Sequence, residues 1–290
     1  MPSDEGGPLG LSVVIPCRDA AAHLREALAA LANEQPQEPW EVIVVDNGSR
    51  DGTRHVATEF QDLLPLRVVD AGDGRGAGYA RNAGAAEARG ELLVFLDSDD
   101  VVASGYLTRM QRALSDSDLV AAQPEVDQLN PGWVARSRPL GLEKGLNHGL
   151  GFLPFAMSSC LGIRRSAFES LEGFAAMTCE DIDLSWRAQL LGLTLTAAPG
   201  AVLHYRLRST RRAIFRQAVG YGLSMPLLYR RFRAAGMPPR GLGQAYRDWR
   251  VAARRLLRPG DRAQFGEGVY LTGLAVGRAL GSVRHRSLYF

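Results

Sequence analysis

Leu92-Leu93-Val94-Phe95-Leu96 runs straight into Asp97-Ser98-Asp99-Asp100. The apolar run has the length and composition of a fully buried strand. Its carboxylates then fall at the strand's carboxyl end, where open α/β sheets place their ligands. Asp97 and Asp99 stand two residues apart, so a tight turn aims both at one point. Hard oxygen donors of this kind suit Mg2+ or Mn2+, with substrate phosphates completing the shell. Without a cation, carboxylates gathered at one strand end repel one another. The competing reading is a turn that only caps the next helix, a task that suits Asp100.

Three more polar clusters follow strand-like runs. Asp46 ends Glu41-Val42-Ile43-Val44-Val45 and opens a turn-rich segment to Thr53. It could accept from a base or ribose hydroxyl, or serve only an Asx turn. Glu180-Asp181 opens a helix, and a carboxylate pair beside a cation-binding turn offers a general base. Capping is the alternative for Glu180 and Asp183. His204 ends a strand and precedes basic residues. A lone histidine is usually structural, but opposite Asp99 a ring nitrogen could complete a metal shell. Arg81 and Asn82 follow a glycine loop at a helix start, where arginine could bind phosphate, pin a carboxylate or form a surface ion pair.

The elements that must carry these residues alternate. Strands are expected at 11–16, 41–45, 66–69, 92–96 and 119–122, with helices at 20–33, 79–88 and 106–114. Asp51 could cap a further helix running to Leu63. This alternation predicts a mostly parallel sheet with helices on both faces, whose strand ends share one cleft. Residues 123–153 show no period and are expected to lack elements. A strand is expected at 157–163, a helix from 178 to 192, and short strands at 193–197 and 201–205. Gly72 to Gly78 superficially echoes a dinucleotide fingerprint. That fingerprint belongs after the first strand, where Cys17-Arg18-Asp19-Ala20 has no glycine, which excludes a Rossmann dehydrogenase.

Taken as a set, Val13-Val14-Ile15-Pro16, Val44 to Ser49 with Asp51-Gly52-Thr53, Ala80-Arg81-Asn82, Phe95 to Asp99, and Glu180 to Leu184 with Trp186-Arg187 resemble family 2 glycosyltransferases of the GT-A fold. Order and spacing match from about Leu11 to Tyr205. The resemblance implies an inverting transferase that uses a nucleotide-diphosphate sugar, with a uridine diphosphate sugar as the default, and Mn2+ or Mg2+. It places the donor against Pro16, Asp46, Arg81, Asp97 and Ser98, with Asp46 at the base and Asp97 at the ribose or sugar. It places the metal on Asp99, with His204 where some members have another ligand, and the catalytic base at Asp181 beside Glu180. Trp186-Arg187 resembles part of the processive members' motif with its last two residues reversed. Without spanning helices, a single-addition enzyme is expected. A nucleotidyltransferase and a non-catalytic nucleotide-binding module of the same fold are the alternatives; the first lacks a lysine-bearing phosphate loop near the first strand.

The chain has 290 residues, 46% hydrophobic and 22% charged, with net charge +3, as befits a globular protein. A GT-A catalytic part is expected over residues 1–208, and a basic helical region over 209–290. Lys144 is the only lysine, so the positive charge is arginine. Cys17, Cys160 and Cys179 have no metal-binding spacing and read as buried thiols. The polar start of the chain is unlike a signal peptide, and a cytoplasmic location is expected. Helices are expected at 210–234, 242–257 and 265–280. The first carries Arg211, Arg212, Arg216, Arg230, Arg231 and Arg233 among Phe215, Tyr221, Leu227, Leu228, Tyr229 and Phe232. This mixture suggests peripheral contact with anionic lipid at the inner face of a membrane. No nucleic acid is expected, because no base-stacking motif accompanies the arginines. The acceptor, whether glycan, lipid-linked or small molecule, is not written in these motifs. Gly273, Gly277 and Gly281 share one helical face, which suits close internal packing.

Overall fold

The computed structural model describes residues 9–138, 140, 142–143, 146–258 and 260–290; the polar start of the chain and Lys144 lie outside the described residues. Strands and helices alternate as β1 (Leu11–Cys17), α1 (Ala21–Leu31), β2 (Trp40–Asp46), α2 (Thr53–Thr58), β3 (Leu66–Asp70), α3 (Ala77–Glu87), β4 (Leu92–Phe95), β5 (Val101–Val102), α4 (Tyr106–Ser115) and β6 (Leu119–Glu125). Then come α5 (Gly132–Ser137), β7 (Leu142–Glu143), β8 (Leu146–Asn147), β9 (Leu161–Arg164), α6 (Arg165–Ser170), α7 (Glu180–Leu190) and β10 (Leu195–His204). Three helices follow: α8 (Arg211–Phe232), α9 (Leu242–Leu256) and α10 (Arg262–Arg284).

The main sheet has the order β3-β2-β1-β4-β9-β6-β10-β5. Growth reverses at β1, with β2 and β3 on one side and β4 on the other. Such a switch point opens a crevice at the carboxyl ends of the strands. Strands β1 to β4 are parallel, as are β6 and β10. β9 is antiparallel to both β4 and β6. Its reversed course returns the residues just before Leu161 to the edge where β4 and β6 end. The strand expected from Met157 therefore starts late, after a 3-10 turn at Ser158–Cys160. The two short strands expected near 193–205 are one strand, β10, with a register shift between Ala197 and Val202. Residues 123–153 are not devoid of elements: β6 runs on to Glu125, and α5 and the β7–β8 ribbon follow.

Both sheet faces are covered, so β1 and β2 are apolar on both sides. Val13, Ile15, Val42 and Val44 pack with Leu24 and Leu28 of α1 and Leu107 of α4. Their alternates Val14, Ile43 and Val45 pack with Ala80, Phe168 and Leu184. Each such buried side chain contributes about 1.5–3 kcal/mol. Gly84 lets α3 lie flat on this face, since a Cβ there would stand 2.5 Å from Val14 Cγ1.

A third cluster fastens the C-terminal helices to the sheet. Trp186 of α7 meets Phe232 and Phe152 edge-on at 5.2 and 5.0 Å, and its Nε1 donates to the Leu153 carbonyl. α10 lies directly on α8 through its glycine face: a side chain at Gly277 would collide with the Val219 carbonyl and the Gly222 backbone. The internal packing expected for that face is what the structure has. The three cysteines are buried. Among the described residues, no helix is long and apolar enough to cross a membrane.

Candidate active site

Asp46 is buried at the end of β2, in register with Cys17 on one side and Asp70 on the other. Its Oδ1 accepts from the Ser49 amide, three residues on, at 3.0 Å, a local side-chain bond one residue longer than the Asx turn its sequence allows. Its Oδ2 accepts from Arg54, which also reaches Asp70 at 2.7 Å. Asp51 accepts from the Thr53 amide at the start of α2, which is shorter than expected, and from the Ala21 amide at the start of α1. The two loops at the sheet edge are thereby tied together.

Arg81, on α3, is only 2% exposed. It is no surface ion pair: Nη2 donates to Asp97 Oδ1 at 2.6 Å, and Nη1 to Glu180 Oε1 at 2.8 Å. The guanidinium also lies over the Phe174 ring at 5.7 Å. Burial opposes its charge, but Asp97 and Glu180 hold its pKa above the ordinary arginine value. One side chain thus joins the end of β4 to the start of α7, 99 positions apart in sequence.

Asp97, Asp99 and Asp100 each place a carboxylate oxygen within 4.8 Å of the others. Burial and the charge of Asp97 push the Asp99 carboxyl up. Burial, Asp97 and Asp99 push Asp100 up further. Asp100 does not cap the next helix. It is buried, and its Oδ1 accepts from the Arg206 amide at 2.8 Å while Oδ2 has no hydrogen-bond partner. Arg208 donates to Asp99 Oδ2 at 2.9 Å. Clustered, mutually repelling oxygen donors with an orphaned buried oxygen fit a hard divalent cation. Ser98 and Pro16 lie partly buried beside this turn and at the end of β1.

His204 is not in this carboxylate group. β10 runs beside β6 with His204 opposite Glu125, and the imidazole Nδ1 meets Glu125 Oε2 at 2.7 Å. Burial works against the Glu125 charge, but His204 and the amides of Asp127 and Gln128 hold that carboxyl below its usual value. A carboxylate only accepts, so Nδ1 carries the proton, and Nε2 is the ring nitrogen outside this pair. Metal-ligating histidines are commonly oriented in this way.

Asp181 lies at the start of α7, after Cys179 in the left-handed region at φ 64°. Its Oδ2 accepts from the Ser158 amide at 3.1 Å, delivered by the reversed course of β9, and its Oδ1 from the Ile182 amide at 2.9 Å. Burial and the neighbouring Glu180 charge push its pKa up to about 7. Glu180 is an ion-pair partner of Arg81 rather than a helix cap, and Asp183 is fully buried against Arg187 and Arg231 at 2.7 and 2.6 Å.

The fold therefore gathers Arg81, Asp97, Asp99, Glu180 and Asp181 around the carboxyl end of β4 and the start of α7, with Asp46 at the end of β2. Sequence reasoning did not single out Arg54, Phe174, Arg206 or Arg208. Arg206 and Arg208 alternate in the extended chain after β10, and this period of two, just past His204, is the signal that places them on one side.

Glycosyl transferase family 2 matches residues 12–172. Glycosyltransferase AglE of Haloferax volcanii is 30% identical over 196 residues, covering 65% of this chain and 64% of that protein. The chain spans less than two thirds of the length of the first curated relatives it matches. Among solved structures, the mannosyltransferase PcManGT of Pyrobaculum calidifontis, in complex with GDP-Man and Mn2+, superposes with TM-score 0.63 at 19% identity, covering 94% of this chain and 88% of that one. S. aureus TarS 1–349, in complex with UDP-GlcNAc, superposes with TM-score 0.57 at 17% identity, covering 97% and 93%. These structures share the GT-A architecture. The chain belongs to glycosyl transferase family 2.

Proposed function

We propose that the crevice transfers a sugar from a nucleotide-diphosphate donor to an acceptor hydroxyl, by a single displacement that inverts the anomeric carbon. The observation that carries this reading is Arg81, which ties the donor-side Asp97 to the base-side Glu180 in one buried network. Asp46 and Asp97 take the nucleoside, with Pro16 and Ser98 lining the donor. The donor is a uridine diphosphate sugar by family default; a guanosine donor, as in the mannosyltransferase neighbour's complex, is the alternative to screen beside it.

Asp99 would hold Mn2+ or Mg2+, with Asp97 and Asp100 close by and His204 Nε2 as a further ligand. A divalent cation there supplies positive charge against the leaving diphosphate. Arg81 holds a fixed guanidinium in the same crevice and needs no reorganisation to stabilise growing negative charge. Asp181 accepts the proton of the acceptor hydroxyl. The Ser158 and Ile182 amides fix its carboxylate, and a pKa of about 7 suits a base working near neutrality.

Calorimetry of UDP and GDP with Mn2+, in wild type and Asp99→Ala, tests the donor side. Tight binding in wild type and a large loss in the variant are expected. Equal affinities would remove Asp99 from the metal site.

Peripheral contact with an anionic membrane is part of this proposal, carried by a different helix from the one the sequence suggests. In α8, Leu228 and Phe232 are buried and Phe215, Tyr221, Leu227 and Tyr229 are partly buried, so its apolar side chains face inward. In α9, Leu242 is 73% and Tyr246 64% exposed, and they share one helical face with exposed Trp249. Arg247, Arg250 and Arg254 are exposed alongside. Apolar and aromatic groups flanked by arginines suit a headgroup boundary.

A further inference from the structure

A cavity of about 400 Å³ opens between α8, α10 and the segment after α5, and Asp181 forms part of its wall. Its volume is that of a small-molecule site. Most of the lining is carbon, with Phe155, Tyr205, Tyr221 and Tyr270 contributing rings. Four charged side chains also reach it: Asp181, Arg138, Glu267 and Arg278. Glu267 is neutralised by Arg255 at 2.9 Å, and Arg278 pairs at 2.5 Å with Asp248, a carboxylate that it shares with Arg240.

Arg138 differs from these. It is 7% exposed, and its partners are neutral: Nη1 donates to Gln217 Oε1 and Nη2 to the Arg208 carbonyl, both at 2.6 Å. Its guanidinium lies over the Tyr270 ring at 5.4 Å. Its Nε is buried with no hydrogen-bond partner. Among the described residues no carboxylate pairs with it. Burial accordingly pushes its pKa down, since a buried charge without a counter-charge is strongly unfavourable. The segment that positions Arg138 also carries Ser137 on the same wall, and α5 is held close to α10 at Gly266, where a Cβ would stand 3.1 Å from the Ser137 Cβ.

We infer that this cavity is the acceptor site, and that the acceptor carries a carboxylate or phosphate that pairs with Arg138 while a separate hydroxyl reaches Asp181. The inference rests on the transfer reading for the role of Asp181; the anion preference itself does not. The aromatic lining favours a ring or other compact apolar body between the two polar ends. A charge-assisted hydrogen bond to arginine favours the anionic form over a neutral isostere by roughly tenfold or more.

The test is calorimetry on the full chain with two matched probe pairs. One is 4-hydroxyphenylacetate against its amide. The other is 4-hydroxybenzylphosphonate against its diethyl ester, which separates a carboxylate site from a phosphate site. Wild type is expected to prefer the anion in at least one pair by roughly 10–100-fold. Arg138→Gln should bind both members of that pair alike, and Arg138→Lys should retain most of the preference. Absence of anion preference in both pairs, absence of binding included, overturns the inference. So does a preference that survives in folded Arg138→Gln. Should that variant not fold, the wild-type pairs and Arg138→Lys decide, since loss of the preference in a folded lysine variant with intact charge also refutes a charge-based site. UDP and GDP binding with Mn2+ is measured in parallel. If that binding fails while the anion preference holds, the transfer reading falls and the cavity's specificity stands.

Discussion

Replacing Asp181 with Asn should make stability relatively higher at alkaline than at acid pH while removing turnover. The side chain keeps its shape but cannot take a proton, so general-base catalysis is lost and turnover should fall by roughly 10²–10⁴-fold. Stability moves the other way for an electrostatic reason. The folded carboxyl titrates at about 7, against about 3.9 for an unfolded aspartate. A carboxyl whose folded pKa lies above its unfolded one favours the folded state while protonated. Its contribution is full below about pH 4 and is lost as pH rises through about 7. Three units correspond to at most about 4 kcal/mol, and partial exposure makes the real figure smaller. Asn escapes this loss, but its amide can accept from only one of the Ser158 and Ile182 amides that Asp181 satisfies, at a pH-independent cost of about 1–3 kcal/mol. The robust signature is therefore a difference: the variant's Tm relative to wild type should be higher at pH 8 than at pH 5, by about 4 °C at most for a chain of this length. The assay is thermal unfolding at both pH values, beside nucleoside diphosphate release. Wild-type kcat/KM should also rise roughly tenfold from pH 6 to pH 8 as Asp181 ionises. A relative Tm that does not change with pH, or wild-type turnover in the variant, would refute the reasoning.

Arg81→Met leaves Asp97 and Glu180 without their shared cation; because Asp97 is partly exposed, the cost should lie near the low end for a broken buried pair, about 3 kcal/mol, seen in a chain of this length as a Tm drop of about 5 °C, and an unchanged Tm would show that the network is not structural. Gly277→Ala places a methyl against the Val219 carbonyl and Gly222, and denaturant unfolding should show a loss of about 1–3 kcal/mol; a neutral result would mean that α8 and α10 part without cost. Wild type should float with anionic vesicles at low salt and be released at high salt, while a Tyr246→Ser, Trp249→Ser double variant should float poorly; equal flotation of both proteins would remove α9 from the contact.

The strands that carry the site were legible because each is an apolar run that stops at a polar cluster. Leu92 to Leu96 before Asp97, and Val42 to Val45 before Asp46, need only local pattern to be read. The same locality misreads Asp100 as a cap. Its actual partner is the amide of Arg206, 106 positions away. His204 shows a similar limit: its pairing with Glu125 depends on the register of β10 against β6, which no single segment specifies. Arg138 lies in the stretch without period, where neither helix nor strand spacing marks it as buried. The basic C-terminal helices were legible as helices, but not in which way they face. α8 and α9 both mix arginines with aromatics, and only the packing of α8 on α10 and Trp186 decides which apolar face is left in water.

Glycosyl transfer at a metal site built on Asp99, with Asp181 as base, can be read from its products. The most direct measurement incubates the full chain with UDP- and GDP-sugars and an acceptor panel, with Mn2+ or with EDTA, and identifies the phosphorus-containing product. Glycosylated acceptor and nucleoside diphosphate, formed with Mn2+ and suppressed by EDTA, are the predicted result. Pyrophosphate as the product, or transfer unaffected by EDTA, would contradict it.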